Sequence, residues 1–300
     1  MTVGVSLPSA PPTTPSSSWA AAFGRLRRDP VAVTAFVVLL LLATSAILAP
    51  LLAPFDPARQ LDIVALKDRP PSLAHPFGTD PFSRDVLSRV LYGGRVSLAV
   101  AALAVLAATT VGVAWGTMAG YSAGRWIDDV LMRLVDVGLG IPRILVLIAL
   151  TAIWGHISLL TLVLVIGLTG WFMLSRFVRA DVVDLRQRDF FVAAKALGAT
   201  PRHLVVRHIL PYIASTVVIW AALDVANVIL LEAGLSFLGL GVQPPTASWG
   251  NIMQDAADQP AALWWMSVFP GLAIVAAVAA STILSNRLRD ALDPRELPRR

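Results

Sequence analysis

The sequence predicts an all-helical membrane protein with six membrane-spanning helices. Hydrophobic residues make up 56% of the 300 residues and charged residues only 14%, whereas a soluble domain carries roughly 25% charged residues. The apolar residues are gathered into long runs that charged or Gly/Pro-rich segments separate. Runs of about 20 apolar residues can cross the hydrocarbon core of a bilayer as helices. Helices are favoured because every backbone polar group in lipid must be satisfied within the protein.

The N-terminal residues 1–28 are predicted to be a disordered cytoplasmic segment. They begin with a Pro/Ser/Thr-rich tract, which cannot bury enough apolar surface to fold alone, and they end with Arg25, Arg27 and Arg28. The apolar run that follows exceeds the roughly 7–15 residues of a signal-peptide core. It therefore predicts a retained first span, and residues 29–300 are predicted to form one transmembrane domain.

The six predicted spans follow the apolar runs in order. They cover about 31–53, 96–118, 131–154, 157–174, 212–231 and 263–284. Basic residues concentrate between the fourth and fifth spans and in the C-terminal tail, whereas segment 232–252 has no Lys or Arg. By the positive-inside rule, this distribution predicts that both termini lie in the cytoplasm.

Three glycines on the second predicted span indicate close helix packing. Gly112, Gly116 and Gly120 recur every fourth residue, so one stripe of the helix lacks side chains. Another backbone can approach such a stripe closely.

Polar residues inside the third and fifth predicted spans mark a candidate pathway. Asp136 and Arg143 are seven residues apart, which would place them on one face of a continuous helix, and Asp224 and Asn227 lie about one turn apart. Charged groups at this depth are costly unless they pair or face water. We therefore expect these side chains to point inward, toward a pathway or a partner; a purely structural pair remains the alternative.

Segment 188–211, with the sequence RDFFVAAKALGATPRHLVVRHILP, is the longest charged, amphipathic interruption between apolar runs. Its first part places apolar residues such as Phe190 on one helical face. Gly198 favours the left-handed turn that ends many helices, and the Thr-Pro pair that follows can begin a second helix. The segment therefore predicts a helix, a glycine turn and a second helix. Together they would form a protrusion that fits a binding site on another protein. A simple solvated connection remains the alternative, and DNA binding is excluded because membrane spans flank the segment on both sides.

Several kinds of chemistry have no motif in this chain. There are no cysteines. The four histidines are scattered along the chain and do not show the spacing of a metal site. The chain has no GxxxxGK[ST] phosphate-binding loop and no recognisable nucleophile–base pattern. The sequence therefore predicts neither an enzyme nor a metal or ATP site within this chain.

Four stretches carry a resemblance to a known family. Segment 188–211 contains VAAKALG from Val192 and ends in ILP at Pro211. Three others are HPFGTDPFSRDVLSRVLYGGRVSL from His75, MRLVDVGLGIP from Met132 and LEAGLSFLGLGVQPPTASWGNIM from Leu231. They resemble the permease subunits of binding-protein-dependent ABC importers, specifically the C-type subunit of the dipeptide/oligopeptide/nickel branch. The resemblance runs from about residue 23 to the end of the chain.

The resemblance implies a multi-pass permease that imports di- or oligopeptides across the cytoplasmic (inner) membrane of a prokaryote. Nickel or another chelated metal is the alternative cargo of the same architecture. The implied partners are a second permease subunit, two cytoplasmic ATPases that bind ATP and Mg²⁺, and an extracytoplasmic substrate-binding protein, in addition to lipid. This chain itself would hold no cofactor and bind no nucleic acid.

In that family, segment 188–211 would be the coupling helix that contacts an ATPase. The residues assigned to this contact are Phe190, Val192, Ala193, Ala194, Lys195, Gly198, Leu210 and Pro211. The sequence departs from the family pattern at two positions. Val192 stands where the motif usually has a glutamate, and Arg143 stands where small or apolar residues are more usual.

A self-contained secondary transporter or channel is the alternative from a different class. It would need ion-coupling residues, for which Asp136, Asp224 and Glu232 are candidates. It would commonly also contain inverted repeats, and the sequence shows no internal repeat.

Overall fold

The computed structural model describes residues 15–154 and 158–292. The predicted disorder of residues 1–14, the predicted start of the fourth span at 157 and the basic tail 293–300 lie outside these ranges. Within them, the regular structure is helical and contains no β-strand. The helices are α1 (Pro15–Arg28), α2 (Pro30–Ile47), α3 (Ala49–Leu52), α4 (Val86–Tyr121), α5 (Trp126–Gly140), α6 (Arg143–Trp154), α7 (Leu159–Leu168), α8 (Phe172–Arg186), α9 (Asp189–Ala196), α10 (Pro201–Leu204), α11 (Leu210–Phe237), α12 (Trp249–Gln254) and α13 (Trp264–Leu292).

Four helical stretches among the described residues are long and apolar enough to cross a membrane. They are Pro30–Ile47, Val86–Tyr121, Pro201–Phe237 and Trp264–Leu292. Two bent pairs, α5 with α6 and α7 with α8, pass the same test when each pair is taken together, which gives up to six spans. The chain is therefore a multi-pass membrane protein.

The predicted third span over 131–154 is not one straight helix, because the chain bends by 82° between α5 and α6. Ile141 is extended, with φ −105° and ψ 126°, and Pro142 follows it. Proline disfavours helical geometry at the preceding residue and cannot donate a backbone hydrogen bond. Asp136 and Arg143 consequently lie on different helices, and the prediction that they share one helical face is wrong.

The N-terminal segment 1–28 was predicted to be disordered, but its described part forms α1. This helix packs against α2 and α13, and Ala22 is buried in the contact. The Pro/Ser/Thr-rich composition ends before the stretch 19–28, WAAAFGRLRR, which is rich in helix formers. Composition at the start of the segment therefore gave the wrong prediction for its end.

The glycine stripe on α4 packs against α8, as the prediction of close helix packing requires. The middle glycine shows how tight the contact is, because a Cβ atom added to Gly116 would lie 2.6 Å from the carbonyl oxygen of Ser175. Val178 and Val182 of α8 fill the space that the missing side chains leave. The surface that covers the stripe thus belongs to the same chain.

Apolar residues lie both in the core and on the outside. The largest buried cluster joins α4, α6, α7, α11 and α13, with Ala104, Leu147 and Ile166 fully enclosed. On the outside, Leu41 of α2 and Leu106 of α4 are 64% and 62% exposed. Large leucines so exposed on several long helices are expected where the surrounding solvent is lipid.

Candidate functional site

Segment 188–211 forms the predicted helix, glycine turn and helix. Gly198 has φ +86°, and it ends α9 through two backbone hydrogen bonds. The Gly198 amide donates to the Lys195 carbonyl and the Ala199 amide to the Ala194 carbonyl, both at 3.1 Å. This pair of bonds is a Schellman motif, which needs a left-handed residue after the helix. Thr200 then caps α10 by accepting a hydrogen bond from the His203 amide.

The segment has an inner face that anchors it and an outer face that stays exposed. Phe191, Leu204 and Ile209 are buried against Leu185 of α8. The residues assigned to the ATPase contact lie mostly on the exposed side: Phe190, Val192, Ala193, Lys195, Gly198, Leu210 and Pro211 are exposed, and Ala194 is half-buried. The anchoring role of Phe191 was not predicted, although the Phe-Phe pair at 190–191 could have indicated one inward and one outward ring.

The second helix of the segment continues directly into the bundle. Residues Val205–Ile209 form a π-helical turn between α10 and α11, so Pro201–Phe237 is one helical stretch of 37 residues. At a rise of about 1.5 Å per residue, it is about 55 Å long. Pro211 thus lies within a helix and does not end one, and the wider π turn just before it accommodates the missing backbone donor.

One carboxylate holds both ends of the segment. Asp184, near the end of α8, accepts hydrogen bonds from the Arg188 guanidinium at 2.9 Å and from the Tyr212 hydroxyl at 2.8 Å. The bond to Asp184 raises the pKa of Arg188 above its ordinary value. Asp184 was not predicted as part of the site, because its contact to Tyr212 spans 28 residues.

A cavity of about 640 Å³ lies between the helices of the described structure. The bend between α5 and α6, the break between α7 and α8, and one face of α11 form its walls, and Arg289 of α13 also borders it. Three of the four residues predicted to mark a pathway line this cavity, namely Arg143, Asp224 and Asn227. The structure therefore brings together polar groups from two spans that are far apart in sequence.

Asp136, the fourth predicted pathway residue, lies elsewhere. It pairs with Arg176 of α8, and both side chains are about half exposed, at 54% and 49%. An exposed ion pair stabilises a fold by about 0–1 kcal/mol. The expectation that Asp136 points into the bundle does not hold within this chain, because its side chain pairs with Arg176 at the surface.

Glu232, a candidate for ion coupling in the alternative class of transporter, is enclosed by hydroxyl groups. Its carboxylate accepts hydrogen bonds from the side chains of Ser97 and Ser236, both at 2.7 Å. The residue is fully buried and does not border the cavity. Its hydrogen bonds link α4 to the end of α11. These contacts indicate that Glu232 stabilises the packing of the two helices.

Known proteins match the chain over most of its length. The family described as "Binding-protein-dependent transport system inner membrane component" matches residues 112–297. The N-terminal transmembrane domain of oligopeptide transport permease C matches residues 17–71.

Three relatives indicate the range of similar proteins. A protein that carries the name peptide permease in Brucella suis biovar 1 is 42% identical over 274 residues, which is 90% of this chain and 89% of the relative. The dipeptide transport system permease protein of Bacillus subtilis is 36% identical, over 91% of this chain and 85% of the relative. The glutathione transport system permease protein of Escherichia coli O6:K15:H31 is 36% identical, over 96% and 94%.

Proposed function

The chain belongs to the family of binding-protein-dependent transport system inner membrane components, and we propose that it is the permease subunit of an ABC importer for di- or oligopeptides. The observation that carries the proposal is the 37-residue helical stretch Pro201–Phe237. One end of it belongs to the exposed helix–turn–helix of segment 188–211, and its middle carries Asp224 and Asn227 on the cavity wall. A single helix thus joins a docking surface to a polar cavity. The names of the relatives, which are peptide, dipeptide and glutathione permeases, support a peptide substrate over a metal chelate.

The proposed topology counts each bent pair as one span. With six spans both termini would lie on the same side as segment 188–211, which we propose is the cytoplasm, and the segments before α4 and around α12 would lie outside. The basic residues of segment 188–211 and of the end of α13 agree with this orientation under the positive-inside rule.

The proposed partners are a second permease subunit, two cytoplasmic ATPases and an extracytoplasmic binding protein. ATP and Mg²⁺ would bind to the ATPases, so this chain contributes no catalytic group. Segment 188–211 would bind a groove on one ATPase through its exposed residues, including Phe190, Val192 and Lys195. The second permease would complete the cavity. On this chain, the walls of the cavity include α13 and the two bent pairs.

The proposed mechanism is alternating access driven from the coupling surface. When the ATPases close on ATP, they would displace segment 188–211, and the Asp184 contacts would carry α8 and α11 with it. Because packed helices move as rigid elements between discrete arrangements, the displacement would open the cavity to one side of the membrane at a time. The substrate would be handed over by the binding protein in the outward-open state.

Reconstitution tests this function directly. Proteoliposomes that contain this chain, its second permease, both ATPases and the binding protein should accumulate labelled dialanine only when ATP is supplied. Omission of either the ATPases or the binding protein should abolish uptake. If the chain alone carried dialanine without ATPases, the self-contained transporter would be the correct class and the proposal would fail.

The topology can be tested with single cysteines, because the natural chain has none. Val64 and Leu197 are 90% and 89% exposed, so cysteine should be tolerated at both positions. A membrane-impermeant maleimide applied to spheroplasts should label Val64→Cys at once and Leu197→Cys only after lysis. Labelling in the opposite order, or equal labelling of both, would contradict the six-span orientation.

A further inference from the structure

An apolar groove of about 420 Å³ runs along the outside of the bundle between α2 and α13. Small side chains form its floor, where Ala35 and Ala280 are buried. The groove begins at Pro30, the first residue of α2, and its last lining residue on that helix is Val38. At a rise of about 1.5 Å per residue, it follows α2 for about 12 Å. Because half of the hydrocarbon core measures about 15 Å, the groove covers most of one leaflet of the membrane.

A polar crevice of about 160 Å³ lies at the end of this groove, between α1 and the last turns of α13. Its lining residues include Arg25, Asp29, Arg287 and Asp290. Asp29 directly precedes Pro30, and Arg287 lies one helical turn beyond Ile283, which lines the groove. The crevice therefore continues the groove toward the surface of the membrane.

Positive charge exceeds negative charge around the crevice. Arg287 is already paired, because it lies 3.3 Å from a carboxylate oxygen of Asp29 and 4.0 Å from one of Asp290. The three arginines at the end of α1 form no ion pair within the described residues. They are Arg25, Arg27 and Arg28. Four arginines and two aspartates give a net charge of +2 at the mouth of the groove.

The helix α1 itself has the features of a helix that lies at a membrane surface. Ala22 is buried against the bundle, whereas Phe23 is 64% exposed. The guanidinium of Arg27 lies 6.0 Å from the centre of the Phe23 ring. In amphipathic helices that lie in the interface, such aromatic side chains enter the boundary between headgroups and acyl chains while basic residues attract anionic lipids. This position would bring Arg27 to the level of the phosphates.

We propose that the groove and the crevice together bind an anionic phospholipid. One acyl chain would lie between α2 and α13, and the phosphate would accept hydrogen bonds from the arginines at the end of α1. The net charge of +2 favours phosphatidylglycerol, whose headgroup is negative, over the zwitterionic phosphatidylethanolamine. The site does not depend on which substrate the chain transports. Under the topology proposed above, the lipid would belong to the cytoplasmic leaflet.

Native mass spectrometry can count the lipids that stay bound to the complex assembled around the full-length chain. The complex would be titrated in detergent micelles with dioleoyl phosphatidylglycerol or dioleoyl phosphatidylethanolamine, which share the same acyl chains. We expect the complex to retain at least one phosphatidylglycerol at concentrations that leave no phosphatidylethanolamine bound. The mass of the complex reports assembly in the same spectrum, so lipid is counted only on assembled complexes.

Removal of charge tests the mouth of the groove. The double variant Arg27→Gln with Arg28→Gln should weaken the retention of phosphatidylglycerol about fivefold for each arginine lost. Both side chains are exposed, so their replacement should leave the fold intact. The matched control is Arg125→Gln with Arg133→Gln, which removes two exposed arginines at the start of α5 and within it. The control should retain the lipid as the wild type does.

Filling the groove tests the acyl-chain site while every arginine stays in place. Ala279 lines the groove and is exposed, so a phenylalanine there should occupy the space of the acyl chain. Ala279→Phe should lose the phosphatidylglycerol that the wild type retains. Ala102→Phe, at an exposed alanine of α4 outside the groove, is the matched control and should retain it.

Each outcome supports or overturns the lipid site. Equal retention of the two lipids, or retention that neither the arginine variant nor Ala279→Phe reduces, would overturn it. Equal losses in the variants and in their controls would show only a general attraction of anionic lipid to a basic surface. A complex that retains no lipid, although the chain purified alone does, would show that the second permease covers the groove. Because the arginine variant changes only exposed side chains, it decides the question even where Ala279→Phe does not assemble.

Discussion

Replacing Arg89 with methionine should destabilise the fold by about 3–5 kcal/mol, the cost of leaving a buried ion pair without one partner. Arg89 is only 1% exposed, and its Nη1 atom donates to Asp80 at 2.5 Å and to Asp255 at 2.7 Å. Arg84 binds the same two carboxylates. The four side chains therefore form a balanced cluster, and the substitution leaves two carboxylates with a single arginine.

The cluster joins parts of the chain that are distant in sequence, so its loss should affect more than one element. Asp80 belongs to the segment before α4, Arg89 to the first turns of α4, and Asp255 follows α12. Titration with sodium dodecyl sulfate in mixed micelles would measure the free energy of unfolding. Arg95→Met is the matched control, because Arg95 lies on the same helix and is exposed. Equal unfolding of the two variants would show that the cluster contributes no more than a surface charge.

This cluster also shows where prediction from the sequence stops. The contact between Arg89 and Asp255 spans 166 residues, and no local pattern indicates that two such residues meet. The same limit applied to Arg143 and Asp224. Each was predicted to point toward a pathway or a partner, but no local pattern indicates that Arg143, just after the bend at Pro142, approaches a residue of α11.

Local signals, in contrast, were sufficient wherever the structure follows from neighbouring residues. The glycine turn at Gly198 and the cap at Thr200 were predicted correctly, because both depend on backbone geometry within a few residues. The stripe of Gly112, Gly116 and Gly120 predicted a close helix contact but not its partner. Hydrophobic runs predicted the four long apolar helices but missed both bends, because the apolar character of a run depends on composition whereas a bend depends on a few backbone groups.

Replacing Gly198 with valine should abolish peptide uptake while the membrane part of the chain stays folded. At φ +86°, a β-branched residue is forced into a left-handed conformation that costs about 1–2 kcal/mol. The cost is confined to the backbone, because among the described residues no atom beyond the two chain neighbours lies within 4 Å of an added Cβ. Such a penalty is small for a bundle of many packed helices. It is large for the turn, because relaxation of Gly198 would break the Schellman hydrogen bonds and redirect α9, which carries Phe190.

The measurement compares uptake with ATP hydrolysis in the reconstituted complex. If segment 188–211 couples the two, Gly198→Val should retain ATPase activity and lose most of the uptake that depends on it. Gly198→Asn is the first control, because asparagine tolerates the left-handed region, and it should keep most of the uptake. Gly124→Val is the second: Gly124 has φ +83° and equally open surroundings, but it lies in the turn between α4 and α5. This variant should have the same backbone strain and still transport peptide. Normal uptake by Gly198→Val would remove the coupling role, and equal losses in both valine variants would show that the strain acts on the fold as a whole.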